Sequence, residues 1–393
     1  MNFTKLFERQ EYGNRIKKVQ KSMSDNGIDV LISQDPANMN YLTGYNAWSF
    51  YYAQCVVLHV NDPEPFIFVR DCDKGGTHLQ TYLKDENIIA YDGKNVHNWP
   101  KHPYDILVEI LKQRHLDKSK IAVEMDASYF TAYCFAKLQN GLPNATFVDS
   151  ERLVNWVRFV KSDAEIDLMK AAGKIARLGI KKAYEVIRPG VRQCDAVGEI
   201  QKALIQGTPE HGGDYGSLVT MVPSGIGTNS SHLTWTDEKF VEDEATIIEL
   251  CGVNNRYHTP CARTLILGKP TGKQLDVQKM TVEALQAGID ATKNGVTADD
   301  VAQAFWKVLD KYGFEKTFRS GYSIGIGYPP DWGEQTMNII KGDHSVLQTN
   351  TCFHLIAVMQ FNNWGVEMSE SIRVTETGSE QFYQVPQEIF IRQ

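Results

Sequence analysis

Short apolar runs alternate with helical periodicity over the first 150 residues of the chain. Segments with the spacing of amphipathic helices separate these runs. The composition of the runs is typical of β-strands, which we predict at Asp29–Ser33, Cys55–His59, Phe66–Val69 and Ile121–Glu124. The pattern predicts an α/β domain from Glu11 to about Thr146.

A long helix is predicted to open the second half of the chain. Ser162 and Glu165 have the spacing of a capping box, in which the hydroxyl and the carboxylate satisfy free backbone amides. The apolar stripe that follows recurs every three or four residues, at Ile166, Met169, Ala172, Ala176, Ile180, Ala183 and Ile187. We therefore predict two domains, residues 1–160 and residues 161–393.

Two segments of the second domain are similar to each other. Pro189–Leu204 and Asn294–Leu309 share a Gly-Val-x-x-x-Asp opening that is followed by an amphipathic helix. The similarity indicates a duplicated half-domain with an internal pseudo-twofold repeat. A site between two such halves can receive side chains from both.

Composition narrows the choice of partners and location. The 41 basic and 48 acidic side chains give a net charge of −7, and neither sign forms a block, so nucleic acid and anionic membranes are not expected partners. No stretch approaches a membrane span and the N-terminal residues contain no apolar run typical of a signal peptide, so we expect a cytoplasmic protein. Neither a nucleotide fingerprint nor a Cys-x-x-Cys pair occurs, and we expect no cofactor.

Three C-terminal segments carry a family resemblance: Ile247–Gly268, Arg319–Glu334 and Thr351–Gly378. They resemble barrel strands of the pita-bread family, which includes methionine aminopeptidase, proline dipeptidase and creatinase. The resemblance implies an α/β (α+β) fold, with a creatinase-type N-terminal domain followed by a C-terminal pita-bread domain.

The metal-dependent members of that family hold two cations through two aspartates, one histidine and two glutamates. The corresponding positions of this chain are Glu249, Pro260, Tyr322, Ile356 and Ser369. A divalent transition metal needs about four well-placed donors. We therefore expect no catalytic metal.

Phrases spread over nearly the whole chain, among them LTGYNAWSFYYAQCV, PSGIGTNSSHLTW and YPPDWGEQTM, resemble the ectoine hydrolases within this family. This resemblance implies a hydrolase that opens the cyclic amidine of ectoine, with hydroxyectoine as a further candidate substrate. It also implies a homodimer in which the partner's N-terminal domain completes the site. Three alternatives stay open: a creatinase-like hydrolase of another amidine or guanidine, a protein like the Xaa-Pro peptidases, and a non-catalytic binding module.

The candidate catalytic residues are Glu249, His232 and Glu367. Glu249 stands at a former ligand position, as nucleophile or as base for water, and the alternative is a buried structural glutamate. His232 aligns with the catalytic histidine of creatinase, and a near-neutral imidazole can move a proton. Glu367 and Glu370 lie three apart and should face opposite sides of a strand, one functional and the other solvated.

The remaining candidates are expected to bind substrate. Asp214 follows two glycines and is either a ligand or a turn residue. The stretch Trp48–Tyr52 is either a core strand or an aromatic cover that attracts the amidinium by cation–π contact. The full set of predicted substrate-binding residues is Trp48, Phe50, Tyr51, Asp214, Tyr257, Tyr322, Asp331, Trp332 and Glu370.

Overall fold

The computed structural model describes residues 5–97 and 100–392. The chain divides into two compact units between Arg158 and Phe159. Among the described residues, no helix combines the length and the apolar character that crossing a membrane requires.

The first unit is a mixed six-stranded sheet with helices. Its described helices are α1 (Arg9–Asp25), α2 (Pro36–Thr43), α3 (Lys74–Gln80), α4 (Pro103–Gln113), α5 (Ala132–Gly141) and α6 (Leu153–Arg158). Its strands are β1 (Val30–Ser33), β2 (Cys55–His59), β3 (Phe66–Arg70), β4 (Ile88–Tyr91), β5 (Lys120–Val123) and β6 (Thr146–Asp149), in the order β4-β3-β2-β1-β5-β6. All four predicted strands are present, and the stretch from Trp48 to Tyr52 forms turns rather than a strand.

The second unit packs helices against an eight-stranded sheet, whose pairs are antiparallel except that β14 pairs with β8 in parallel. Its described helices are α7 (Asp163–Val186), α8 (Gln193–Gln206), α9 (Gly272–Ala291) and α10 (Ala298–Lys311). Its strands are β7 (Ala245–Asn254), β8 (Tyr257–Leu267), β9 (Gly321–Tyr328), β10 (Asp331–Asn338), β11 (Cys352–Gln360), β12 (Gly365–Val374), β13 (Ser379–Gln381) and β14 (Phe390–Arg392). The main path runs β13-β12-β11-β9-β8-β14, with β7 paired to β8 and β10 paired to β9.

Helix α7 begins where the capping box predicts. The Ser162 hydroxyl accepts the Glu165 amide at 3.4 Å, and a carboxylate oxygen of Glu165 accepts the Ser162 amide at 2.8 Å. The helix packs on β7 so closely that a Cβ added at Gly252 would lie 2.0 Å from the carbonyl oxygen of Ala172. Glycine at this position therefore sets the separation of helix and strand.

The duplicated arrangement predicted from sequence is present in the second unit. Each half contains a pair of helices followed by an antiparallel hairpin, which is α7 and α8 before β7–β8 in the first half, and α9 and α10 before β11–β12 in the second. Helix α7 packs on β7, and α9 packs on β11. The two helix layers cover one face of the sheet and leave its opposite face for other side chains.

Candidate functional site

Glu249 and Glu367 both belong to the sheet face that the helices do not cover. On β12 the neighbours Val366 and Met368 belong to the apolar core with α9 and α10, so Glu367 points the other way. On β7, Gly252 contacts α7, and Glu249 lies an odd number of residues away on the opposite face. Both carboxylates are nearly buried, with 9% and 7% of their surface exposed.

A small residue, Ala262 of β8, lies beside Glu249 on this face. It stands directly opposite Glu249 in the β7–β8 ladder, and its amide donates to the Ser369 hydroxyl of β12 at 2.7 Å. Two residues along, the Thr264 hydroxyl donates to the Glu367 carbonyl and accepts the Glu367 amide, both at 2.9 Å. These bonds hold β8 beside β12, and Ala262 places only a methyl group beside Glu249.

The two carboxyl groups disfavour each other's ionisation. Burial raises the pKa of Glu249 to about 7. Burial also raises the pKa of Glu367 well above its ordinary value, and the negative charge of Glu249 raises it further. The charge of one group favours the protonated form of the other, so one can act as base or nucleophile while the other acts as acid.

A hydrogen-bonded chain of neutral side chains lies beside this pair. The Trp332 indole N–H donates to the Tyr322 hydroxyl at 2.7 Å, and that hydroxyl lies 3.2 Å from Nδ1 of His354. The other ring nitrogen of His354 lies 2.7 Å from the Ser369 hydroxyl. Burial lowers the pKa of His354 to about 3, so the imidazole is neutral. The chain fixes the phenol of Tyr322, whose pKa burial and the nearby Glu249 raise.

A buried lysine completes the set of charges on this face. Lys316 precedes β9, is 6% exposed, and has its ammonium 3.5 Å from the Val358 carbonyl oxygen. Val358 stands directly opposite Glu367 in the β11–β12 ladder. Burial lowers the pKa of Lys316 to about 7, and the charge of Glu367 opposes that shift.

Asp331 and Asp214 lie in different parts of the second unit. Asp331 raises the pKa of the Tyr322 phenol, and its carboxylate accepts the Gly333 amide at 2.9 Å. Asp214 lies at the far end of the β7–β8 hairpin, where its carboxylate is 3.7 Å from the Arg256 guanidinium. The structure thus brings Asp331 to Tyr322, and places Asp214 in the neighbourhood of Arg256.

Tyr257 and Glu370 are predicted site residues that the structure places on the helix-covered side of the sheet. The Tyr257 hydroxyl donates to Glu165 of α7 at 2.8 Å. Glu370 is 1% exposed and accepts from the Arg263 guanidinium at 2.6 Å. Glu367 and Glu370 do face opposite sides, but the second is buried and ion-paired rather than solvated, because Arg263 lies beside it.

His232 lies in an exposed loop with a left-handed backbone, at φ 68°. The loop is attached to the β11–β12 hairpin, since the Gly365 amide donates to Thr228 at 2.8 Å and the Gln360 amide group donates to Ser231 at 3.3 Å. Gly365 is two residues from Glu367. Among the described contacts, none joins His232 to either glutamate.

The aromatic candidates belong to the first unit and differ in their exposure to solvent. Phe50 is 3% exposed and packs against Tyr129 with ring centroids 5.1 Å apart. Trp48 and Tyr51 are 57% and 55% exposed. Of these three candidates, Trp48 and Tyr51 present their aromatic rings at the surface of this unit.

The donor atoms on this face do not fit a pair of divalent metals. Of the five positions that correspond to the relatives' ligands, only Glu249 offers a carboxylate, and both ring nitrogens of the neighbouring His354 are within hydrogen-bond distance of hydroxyls. Within residues 5–97 and 100–392, no group of three or more His, Cys, Asp or Glu side chains could hold a metal ion.

Sequence reasoning missed two residues of this face. His354 had a signal, because it is a lone polar side chain within the apolar run that forms β11. Lys316 gave no sequence signal, because it lies in an irregular segment where charged side chains are expected to be solvated. The fold buries it beside Val358.

Comparisons with known proteins agree with this architecture. The sequence profile of metallopeptidase family M24 matches residues 167–376, and that of the creatinase/prolidase N-terminal domain matches residues 15–160. The ectoine hydrolase of Halomonas elongata is 40% identical over 98% of both chains, and the creatinase of a Bacillus species is 24% identical over 81% of this chain and 76% of its own. The crystal structure of a prolidase from Thermococcus sibiricus superposes with a TM-score of 0.84 at 17% identity, covering 97% of this chain and 99% of that one.

Proposed function

The chain belongs to metallopeptidase family M24 and is a hydrolase of C–N bonds, and from this premise we propose that it opens the ring of ectoine to give N-acetyl-2,4-diaminobutyrate. The observation that carries the proposal is the pair of buried carboxyl groups, Glu249 and Glu367, on one face of the sheet. The 40% identity to an ectoine hydrolase supports the choice of substrate.

The charge of the substrate suits this pair. Ectoine contains a cyclic amidinium, which is already electrophilic at its central carbon and presents two N–H donors. A carboxylate binds such a group by charge-assisted hydrogen bonds without a Lewis acid. A bound cation also favours ionisation of both glutamates, so substrate binding itself prepares the base.

The reaction needs one group that delivers oxygen to the amidine carbon and one that supplies a proton. In one route Glu249 takes a proton from water, and the water oxygen bonds to the carbon while the C=N electron pair moves to nitrogen. Glu367 then protonates one ring nitrogen, which leaves with the electrons of its C–N bond, and the added hydroxyl gives up its proton to the Glu367 carboxylate as the C=O bond forms; the products are an acetamide and a primary amine. In the other route a Glu249 oxygen bonds to the carbon while the C=N electron pair moves to nitrogen, the ring nitrogen protonated by Glu367 leaves with the electrons of its C–N bond, and water then adds to the same carbon and displaces Glu249 to give the acetamide.

Metal-independence, the role of His232 and the assembly are further parts of the proposal. No step above requires a metal, in keeping with a donor set that does not fit one. We assign His232 to proton transfer with water, which its position on a loop beside the Glu367 hairpin permits. We also propose a cytoplasmic homodimer, in which the exposed Trp48 and Tyr51 supply aromatic faces to the partner's site.

The first experiment is proton NMR of ectoine with metal-stripped protein, with and without added divalent metal. Loss of the ring C–H signal and appearance of an acetyl signal in the metal-free sample is the expected result. Turnover only after metal addition would refute metal-independence, and inertness in both samples would refute the substrate assignment. The same assay with a creatine and amidine panel would then identify the alternative substrate.

Variants at the glutamates test the mechanism. Glu249→Ala should abolish turnover while the variant stays folded, and Glu242→Ala, at an exposed carboxylate shortly before β7, is the matched control. Intact-protein mass spectrometry of rapidly quenched samples separates the two routes, because only the nucleophile route gives a protein–substrate adduct. Near-native activity in folded Glu249→Ala would remove that residue from the mechanism.

A further inference from the structure

Four lysine or arginine side chains are buried among the described residues of the second unit: Lys161, Arg256, Arg263 and Lys316. The first three are ion-paired. Lys161 lies 2.6 Å from a carboxylate oxygen of Glu334, Arg256 lies 3.7 Å from one of Asp214, and Arg263 lies 2.6 Å from one of Glu370. Lys316 differs, because no carboxylate oxygen of the described residues lies within 4.0 Å of its ammonium.

The ammonium of Lys316 has few partners of any kind. Its hydrogen bond to the Val358 carbonyl is long, at 3.5 Å, and its other close neighbour is the Phe318 ring, whose centroid is 3.5 Å away. An ammonium has three N–H donors. A buried cation is normally paired, because removing it from water is costly. Lys316 therefore has donors to offer to an anion that residues 5–97 and 100–392 do not themselves supply.

The position of that ammonium is set by the same strands that carry the glutamates. It approaches the carbonyl of Val358, the residue directly across the ladder from Glu367. It interacts with the Glu367 charge without forming an ion pair within 4.0 Å. One face of the sheet thus presents two carboxyl groups and, beside them, one cation with unused donors.

We propose that Lys316 binds the carboxylate of the substrate, so that the site matches a zwitterion with its amidinium at Glu249 and its carboxylate at the lysine. The inference rests on the proposed function and extends it to substrate selection. A cyclic amidine without a carboxylate would leave the ammonium buried and unpaired, and is therefore a poor substrate. The same contact orients the ring, since the carboxylate is attached to a ring carbon that is bonded to one of the two amidine nitrogens.

Arg319 is the other cation near this face, and the structure favours Lys316 over it. Arg319 is exposed, stacks on the Tyr322 ring at 4.5 Å, and donates to the Asn338 side chain at 2.7 Å. An exposed guanidinium that already has partners gains little from a further anion, because water screens the contact. The buried ammonium gains more interaction free energy from an anion, because the effective dielectric constant around it is lower.

The test compares two substrates in the whole protein: ectoine and its decarboxylated analogue, 2-methyl-1,4,5,6-tetrahydropyrimidine. A charge-assisted hydrogen bond is worth about 1.5–3 kcal/mol, or roughly 10- to 150-fold. We expect the wild type to prefer ectoine by at least this factor in kcat/KM. Lys316→Met should lose a similar factor on ectoine, mainly through KM, and less than about threefold on the analogue.

Lys311→Met is the matched control, because Lys311 is 69% exposed on α10, five residues earlier. Equal losses of kcat/KM on both substrates in Lys316→Met would overturn the inference. They would indicate that the lysine acts through the glutamates rather than on the substrate carboxylate. Equal kcat/KM values of the wild type for ectoine and the analogue would also overturn it. This second comparison does not depend on the folding of any variant. Inertness of the wild type toward ectoine is a separate result, which refutes the proposed function before this comparison begins.

Discussion

Replacing Glu249 by glutamine should stabilise the protein at alkaline pH while removing its activity. The side chain is 9% exposed, and burial raises its pKa from the ordinary 4.5 to about 7. Glutamine has nearly the same shape and no charge to bury. The gain therefore comes from removing the cost of keeping an ionised carboxyl in this site.

The size of the gain follows from the two pKa values. Below pH 4.5 the carboxyl is protonated in both the folded and the unfolded chain, and glutamate and glutamine should be nearly equivalent. Between pH 4.5 and 7 only the folded chain keeps the proton, so the free energy of unfolding falls as pH rises, by about 1.4 kcal/mol per pH unit. Above pH 7 the loss levels off, and the variant should then exceed the wild type by about 3 kcal/mol.

Urea unfolding of both proteins at intervals between pH 4.5 and 8 measures this difference. We expect a variant that is equal to the wild type at the acid end and more stable at pH 8, with a melting temperature higher by roughly 5–10 °C. Glu242→Gln, at an exposed position, is the control and should show a difference that does not grow with pH. A Glu249→Gln variant that is less stable than the wild type at pH 8 would refute the reasoning, since the carboxylate would then be stabilised by the fold.

Three further predictions follow from the same geometry. The pH profile of kcat/KM should be bell-shaped with its maximum near pH 7, because Glu249 must lose its proton to act and Lys316 must keep its own to bind the carboxylate, and a profile that is flat between pH 6 and 8 would contradict this. Tyr322→Phe removes the acceptor of the Trp332 indole N–H and should lower the free energy of unfolding by about 1–3 kcal/mol, measured by urea unfolding. Arg263→Met leaves Glu370 buried and unpaired and should cost about 3–5 kcal/mol, which Arg263→Met combined with Glu370→Leu should largely restore; no recovery in the double variant would show that the pair matters for another reason.

The local elements of the fold could be predicted from sequence because local physics determines them. The capping box at Ser162 fixes the start of α7, and β-rich runs such as Cys55–His59 become strands with the predicted bounds. The repeated Gly-Val-x-x-x-Asp openings lead into α8 and α10. These features depend on neighbours in the chain, which the sequence presents directly.

The site could be predicted only in part, because strand parity and long-range pairing decide which side chains meet. Glu249 and Glu367 are 118 positions apart, and only the pairing of β7 with β8 and the bonds from β8 to β12 bring them to one face. Tyr257 was expected at the site because it stands in a family motif, but its place in β8 directs it to α7. Lys316 has no periodic neighbourhood at all, so only the packing around Val358 reveals it.

The hydrogen bonds between β8 and β12 affect how the separation of the two carboxyl groups can change. These strands are not neighbours in the sheet order, and hydroxyl groups of Thr264, Ser369 and Ser371 connect them to each other's backbone. A backbone ladder fixes strand separation at one value, whereas a bond through a side chain has a length that depends on the residue. We therefore expect exchange of these hydroxyl residues to change the separation of β8 and β12 while each half keeps its own hairpin, so that single substitutions adapt one scaffold to substrates of different width.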